Sequence, residues 1–152
     1  MRWMISRTIL LLAVLLVPAH SEAWIAYGFK SGMTRFQVAQ SLSENHSLVV
    51  TEDEQQTRAG PADENPRYFL NYCSRPQKLY MMQYSLPGSP QAFSEAREKY
   101  EKRYGEPEQQ DATQQTGSGE YLIWHLNEAE TLLLRLDDNR TLAEFQDVSV
   151  CE

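Results

Sequence analysis

The residue types that most often carry catalysis are sparse in this sequence. Beyond residue 23 it holds only two histidines, His46 and His125, and two cysteines, Cys73 and Cys151. None of these four stands at the short spacing typical of zinc ligands. No phosphate-binding glycine loop and no Gly-x-Ser-x-Gly nucleophile motif is present. The sequence therefore predicts no catalytic residue, no metal site and no cofactor.

One catalytic alternative stays open. His125 could act as a general base with a carboxylate such as Asp147 or Glu144, as in a small periplasmic hydrolase. A histidine on a strand is more often a hydrogen-bonded or solvent-facing residue without a catalytic role. The sequence therefore favours a non-enzymatic protein over this alternative.

The first 23 residues have the pattern of a secretory signal peptide. Arg2 and Arg7 precede an apolar run over residues 9–17, and Ser21 and Ala23 are small residues at the two positions that a signal peptidase reads. The run would rise about 14 Å as a helix, well short of a hydrocarbon core of about 30 Å. We expect cleavage after Ala23, no membrane span in the mature chain, and a periplasmic or secreted location.

The exported chain, a single domain over residues 24–152, is acidic. The full chain has 14 Lys and Arg against 21 Asp and Glu, and loss of residues 1–23 removes two Arg and one Glu. The remaining 12 against 20 give a net charge of −8. The densest basic cluster, residues 97–103, is interleaved with glutamates, which disfavours nucleic acid and anionic membranes as partners. A cationic partner would instead be attracted by the field of the protein. The alternative, which is favoured, is that the acidic surface simply keeps an exported protein soluble.

Cys73 and Cys151 are predicted to form a disulfide bond. Export places them in an oxidising compartment, where an even number of cysteines is normally paired, and only one pairing exists. In the chain-entropy model, a bridge that closes a loop of this length stabilises a fold by about 4 kcal/mol. A reactive thiol is the alternative, but Glu152 beside Cys151 does not favour a thiolate.

Two helices have clear start and stop signals. Thr34 opens a capping box and predicts a helix over residues 35–43. Ser89 as N-cap and Gly105 as stop predict a second helix over residues 90–104.

Alternating apolar residues predict six strands. These are residues 47–52, 67–73, 78–86, 120–126, 131–136 and 141–150. Two polar stretches, residues 53–66 and 108–119, are predicted to be flexible loops. The order is helix, strand, strand, strand, twice over, with halves 24–88 and 89–152. It predicts an α+β fold in which two helices pack on antiparallel sheet as tandem modules.

The start of the first helix carries a resemblance. Gly32, Met33 and Thr34, followed by a helix with Gln37 and Val38, resemble the opening motif of the BamE family of outer-membrane lipoproteins, also called small protein A. The doubled helix-and-sheet plan is similar to the architecture of the β-lactamase inhibitor proteins. Both families are exported and bind proteins without catalysis, so the resemblance implies a binding role here.

A group of tyrosines is the first candidate contact surface. Tyrosine is common at interfaces because its ring is apolar and its hydroxyl forms hydrogen bonds. On a hairpin of residues 67–73 and 78–86, alternate positions on one face hold Tyr68, Tyr72, Tyr80 and Tyr84. The alternative, which is favoured, is that the helices cover this face and that the rings belong to the core.

The acidic residues of the predicted loop over residues 53–66 are the second candidate contact surface. They are Asp53, Glu54, Asp63 and Glu64. Loops that contribute nothing to a core are where binding residues concentrate. Together these features predict a secreted or periplasmic protein-binding module, either inhibitor-like or an envelope accessory factor, with an unidentified and cationic protein partner.

Overall fold

The computed structural model of this chain describes residues 24–109, 121–137 and 139–152. Two helices and a large antiparallel sheet make up most of them, so the fold is α+β with sheet predominating. The helices are α1 (Arg35–Ser43) and α2 (Pro90–Tyr104). The strands are β1 (Ile25–Ala26), β2 (Phe29–Lys30), β3 (Leu48–Glu52), β4 (Gln56–Pro61), β5 (Tyr68–Tyr72), β6 (Leu79–Pro87), β7 (Glu108–Gln109), β8 (Tyr121–His125), β9 (Glu130–Asp137) and β10 (Arg140–Asp147).

Eight of the strands form one sheet in the order β3-β4-β5-β6-β10-β9-β8-β7, and every neighbouring pair is antiparallel. The remaining two, β1 and β2, form a small separate hairpin. Each helix is followed by four strands, and the last strands of the two halves, β6 and β10, pair at the centre of the sheet. Met82 lies opposite Phe145 in this central pair.

The prediction of a flexible loop over residues 53–66 is wrong, because β4 lies within it and pairs with both β3 and β5. The inward positions of β4 are Thr57 and Ala59, which are fully buried. Both are small, and one is polar, so the strand has little apolar alternation to reveal it. The Thr57 hydroxyl is satisfied inside the core by the Tyr72 hydroxyl, 3.0 Å away.

The second predicted loop, residues 108–119, also begins with strand. Glu108–Gln109 forms β7 at the edge of the sheet and pairs with β8. Residues 110–119 of that loop, like the predicted signal peptide, lie outside the described residues. Among the described residues, each half therefore contributes four strands to the large sheet, where the sequence predicted three.

The capping signals place both helices as predicted. The Thr34 hydroxyl accepts a hydrogen bond from the backbone N–H of Gln37 (3.3 Å), and the Gln37 side chain accepts one from the backbone N–H of Thr34 (2.9 Å). The Ser89 hydroxyl accepts one from the backbone N–H of Ala92 at the start of α2 (3.1 Å). That helix ends at Gly105, whose φ of +86° favours glycine.

One hydrophobic cluster joins both helices to one face of the sheet, called here the inner face. From α2, the Tyr100 ring lies 5.9 Å from Trp124 of β8 and 5.8 Å from Phe145 of β10. Val38 of α1 is fully buried in the same cluster. Successive strand residues alternate between faces, so the intervening residues form a second, outer face whose described side chains contribute nothing to this cluster.

The Cys73–Cys151 disulfide is present, with Cα atoms 5.4 Å apart, as the sequence predicted. Cys73 directly follows β5, and Cys151 ends a short 3-10 helix, Val148–Cys151, that follows β10. The bridge therefore ties the first half to the end of the chain. Within the described part of the chain, neither helix is long and apolar enough to cross a membrane.

Candidate functional site

Two of the predicted tyrosines lie in an aromatic cluster on the inner face. Tyr68 of β5 lies opposite Tyr84 of β6, and their ring centroids are 5.1 Å apart. Tyr27, from the turn between β1 and β2, stacks on Tyr84 at 4.0 Å, and Phe29 lies 5.6 Å from Tyr68. The structure thus brings Tyr68 and Tyr84 together, along with Tyr27, which the sequence did not single out.

The other two predicted tyrosines lie outside this cluster. Tyr72 is buried, and the guanidinium of Arg35 lies over its ring at 4.4 Å. The pairing register between β5 and β6 shifts here, so Leu79 rather than Tyr80 lies opposite Tyr72. Such a shift is typical of a β-bulge, which places an extra residue in one strand. Tyr80 makes no ring contact with another aromatic residue among those described.

Hydrogen bonds connect the aromatic cluster to α2. The hydroxyls of Tyr27 and Tyr100 are 3.0 Å apart, and Lys99 Nζ donates to the Tyr27 hydroxyl at 3.3 Å. Burial raises the pKa of Tyr100 far above its ordinary value, and the neighbouring Tyr27 raises it further. The aromatic cluster, whose three tyrosines are partly buried, joins the β1–β2 hairpin, α2 and the sheet.

We expect alkaline pH to destabilise the fold through Tyr100. In the unfolded chain a tyrosine ionises near pH 10, whereas in the folded protein the pKa of Tyr100 is raised. The stability that comes from this shift is therefore fully present below about pH 10 and is lost as the pH rises above it. Absorbance at 295 nm should show some tyrosines ionising only as circular dichroism reports unfolding. Ionisation of every tyrosine with the dichroism unchanged would contradict this.

The predicted acidic residues fall into two separate groups. Asp53 and Glu54 lie in the turn between β3 and β4, and Asp63 and Glu64 lie in the turn between β4 and β5. These turns are at opposite ends of β4, whose six residues span roughly 20 Å. The four carboxylates do not form one surface.

Asp53 and Glu64 each have local partners. Asp53 Oδ1 accepts hydrogen bonds from the backbone N–H groups of Gln55 and Gln56, both at 2.9 Å, and these bonds lower the pKa of Asp53. Glu64 Oε2 lies 2.8 Å from Arg67 Nη2, and both side chains are about half exposed. Both carboxylates therefore help to shape the turns that hold them.

His125 and Asp147 do not come together. His125 projects from the outer face of β8, and its Nε2 lies 3.5 Å from Oε2 of Glu108 on the edge strand, with both side chains exposed. Asp147 is a buried inner-face residue of β10. Glu144 is on the outer face, but β10 and β8 are separated by β9. The geometry therefore does not support either pairing on which the hydrolase alternative was based.

Metal-ligating side chains show no clustering in the described residues. No three His, Cys, Asp or Glu side chains among them are grouped as the ligands of a metal ion would be. The pairing of His125 with Glu108 supplies two potential ligands, which is one fewer than a catalytic zinc site takes from the protein.

A row of partly exposed side chains crosses the outer face of the sheet. In register from β5 to β8, the row consists of Phe69, Gln83, Glu144, Leu133 and Ile123. The four steps between five strands span roughly 19 Å. Gln83 Nε2 donates to Glu144 Oε2 at 2.6 Å, so the polar pair at the centre is mutually satisfied. We call these five residues the outer row.

An open groove of about 990 Å³ lies at one end of the outer row, and its lining includes Tyr84 of the inner face. Its walls include Phe69 of the outer row and, from the β4–β5 turn, Asp63, Glu64 and Arg67. One of the two predicted acidic groups therefore borders the apolar part of the outer face. The sequence signal for this surface is the second set of alternating residues along the strands, opposite to the set that contains Tyr68 and Tyr84.

The described part of the chain is an α+β protein with two helices and one large antiparallel sheet. No protein-family model, curated protein or solved structure matches the chain. Its function is therefore inferred from the fold and from the surfaces described above.

Proposed function

We propose that this chain is an exported, non-enzymatic protein-binding module that contacts a cationic protein through the outer face of its sheet. The observation that carries the proposal is the outer row, in which Phe69, Leu133 and Ile123 are only partly buried on a face that neither helix covers. A sheet face left to solvent is normally polar. Apolar side chains grouped on a surface and rimmed by polar groups are typical of interaction sites.

The charge of the protein supports the choice of a cationic partner. The exported chain would carry a net charge of −8. The groove at one end of the outer row is lined by two acidic residues, Asp63 and Glu64, and by two basic residues, Arg67 and Arg140. Complementary charge on two partners speeds their encounter and fixes their orientation. The signal-peptide pattern and the disulfide support export to the periplasm or beyond.

The arrangement of the two halves also supports a binding role. Two units of one helix and four strands, joined through β6 and β10, are similar in plan to the inhibitor architecture noted above. An inhibitor of an exported enzyme and an accessory factor of the envelope are the two forms of this role. In both, the tyrosines of the inner face hold the scaffold together, and the outer face makes the contact.

Affinity capture with surface variants tests the proposal. The bait is the disulfide-bonded exported chain, and envelope extract supplies the partner. We expect a stoichiometric protein to bind the wild type and to be lost with Leu133→Lys and with Ile123→Lys, because each puts a charge into the apolar part of the outer row. Phe36→Lys is the matched control, because Phe36 is a 77% exposed apolar residue on α1, on the opposite side of the sheet. Equal capture by all four proteins would refute the proposed surface.

Salt dependence tests the charge of the partner. Once the partner is identified, its association rate should fall steeply between low and physiological salt, where the Debye length shrinks to about 8 Å. Neutralising Asp63 and Glu64, as Asp63→Asn and Glu64→Gln, should lower the rate at low salt and weaken its salt dependence. A rate that does not change with salt would contradict a cationic partner.

A further inference from the structure

Two carboxylates are buried side by side where β9 begins and β10 ends. Glu130 and Asp147 lie directly opposite each other in the β9–β10 register, and they are 2% and 5% exposed. Burial raises the pKa of Glu130, and the adjacent Asp147 raises it further. Burying two negative charges side by side, away from water, is unfavourable unless a bound proton or a cation compensates them.

The neighbours of the pair leave part of it unsatisfied. Glu130 Oε2 accepts a hydrogen bond from Asn127 Nδ2 at 2.8 Å, and Asp147 Oδ1 accepts bonds from the backbone N–H (3.0 Å) and the hydroxyl (2.6 Å) of Ser149. Glu130 Oε1 is shielded from solvent and accepts no hydrogen bond of ordinary geometry. Burial raises the pKa of Tyr104 on α2, and the charge of Glu130 adds to this, so that phenol faces the pair as well.

A compensating cation is missing from this place. In the part of the chain that the structure describes, no Lys, Arg or His nitrogen lies within 4.0 Å of either carboxylate. Among the described residues the pair is therefore compensated by a shared proton, through the hydrogen bond between Glu130 and Asp147 that also raises the pKa of Glu130.

The backbone nitrogen of Trp24 lies beside the Glu130 carboxylate. It hydrogen-bonds to the Glu130 carboxylate and thereby opposes the rise in the pKa of Glu130. Trp24 is held there firmly, because it is 3% exposed, its ring lies 5.8 Å from Phe145, and its carbonyl accepts a bond from the Ser31 N–H (3.3 Å). Within the unprocessed chain, this nitrogen belongs to a neutral amide with a single N–H.

We propose that Glu130 and Asp147 form a binding site for the α-ammonium group of Trp24, which is created when the signal peptide is cleaved after Ala23. Water hydrolyses the peptide bond between these residues, Ala23 leaves with a carboxylate, and the Trp24 nitrogen becomes an amine that takes up a proton. The Trp24 nitrogen, which had one hydrogen as an amide, then has three hydrogens and a positive charge. From its place beside Glu130 it can donate to that carboxylate, and its charge offsets that of the adjacent Asp147.

Maturation and folding are linked by this site. Before cleavage the fold must bury two carboxylates beside an uncharged amide, and after cleavage it buries them beside an ammonium. The native fold is therefore favoured most strongly once the segment that precedes Trp24 has been removed. The inference rests on the proposed export, but it does not depend on the outer face or on any partner.

Two proteins that differ by one residue provide the main test. One begins at Trp24 and the other retains Ala23, both released from a fusion by a protease that leaves no extra residue, and both with the disulfide formed. We expect the protein that begins at Trp24 to have the higher Tm at pH 7. The difference should disappear in the Glu130→Gln background, and Asp147→Asn serves as a second background if the first does not fold. Equal Tm values for the two wild-type proteins would overturn the proposal.

The chemical reactivity of the Trp24 amine tests the ionic contact separately. A purely steric effect of Ala23 on packing would not change this reactivity. The two carboxylates should raise the pKa of the Trp24 α-amine above its ordinary value of about 8 and slow its acylation at least tenfold relative to the protein that begins at Ala23. The Tm advantage is then fully present below about pH 8 and is lost as the pH rises through the raised pKa. A Tm difference that persists unchanged to high pH would overturn the ionic explanation.

N-terminal sequencing of the exported protein completes the test. Trp24 at the first position supports the inference, and any other first residue overturns it. The outcome is distinguishable from that of the binding experiments, because Leu133→Lys and Ile123→Lys alter the outer face and leave the amine site unchanged.

Discussion

Replacing Phe145 with alanine is expected to lower the free energy of unfolding by about 3–5 kcal/mol, the usual cost of emptying a buried phenylalanine site. Phe145 is 1% exposed on β10, opposite Met82 of β6 and Leu132 of β9. Its ring contacts Trp24 and Tyr100, each with centroids 5.8 Å apart. The substitution therefore removes the contact that joins α2, the N-terminal segment and the central strands.

Urea unfolding at constant pH, followed by circular dichroism, measures this effect. Phe36→Ala is the matched control, because Phe36 is 77% exposed on α1 and its truncation should change stability by no more than about 0.5 kcal/mol. Similar losses for the two variants would contradict the position of Phe145 at the centre of the core.

Removing the disulfide with Cys73→Ser and Cys151→Ser together is expected to cost about 2–5 kcal/mol. The two cysteines are separated by 78 residues, so the bridge removes many extended conformations from the unfolded chain. In the folded state it joins the end of β5 to the 3-10 helix that follows β10. Both substitutions are made together so that no unpaired thiol complicates the comparison.

Denaturant midpoints with and without reductant measure the contribution of the bridge. Wild type should lose stability when reduced, whereas the double variant should be insensitive to reductant. Mass spectrometry of the exported protein should find Cys73 linked to Cys151 and no free thiol. A wild-type midpoint that stays the same after verified reduction would show that the bridge does not stabilise this fold.

Interactions between residues close together in the sequence were sufficient to predict several helices and strands. Helix ends follow from capping side chains such as Thr34 and Ser89, whose hydrogen bonds involve only residues close by in the chain. Six strands were recognisable because their apolar residues alternate. The disulfide followed from there being only two cysteines after residue 23. In each case the determining interactions are local, or the alternatives are very few.

Other features are set by contacts between distant residues, and the sequence did not reveal them. β4 is a strand because β3 and β5 supply hydrogen-bond partners on both sides, although its buried residues, Thr57 and Ala59, are small. Tyr68 and Tyr84 are partly buried because Tyr27, which is distant in sequence, packs against them. The same packing leaves the opposite face of the hairpin, with Phe69, uncovered by either helix.

The sequence by itself determined the helices, the alternating strands, the acidic charge and the identity of the bonded cysteines, because these depend on composition and on neighbours along the chain. Only the tertiary structure decided that β6 and β10 pair at the centre, which face of the sheet is open, and that Glu130 meets both Asp147 and the backbone of Trp24. These depend on strand order and register. A pairing shifted by one residue would exchange the inner and outer side chains of a strand, and no local pattern specifies its partner.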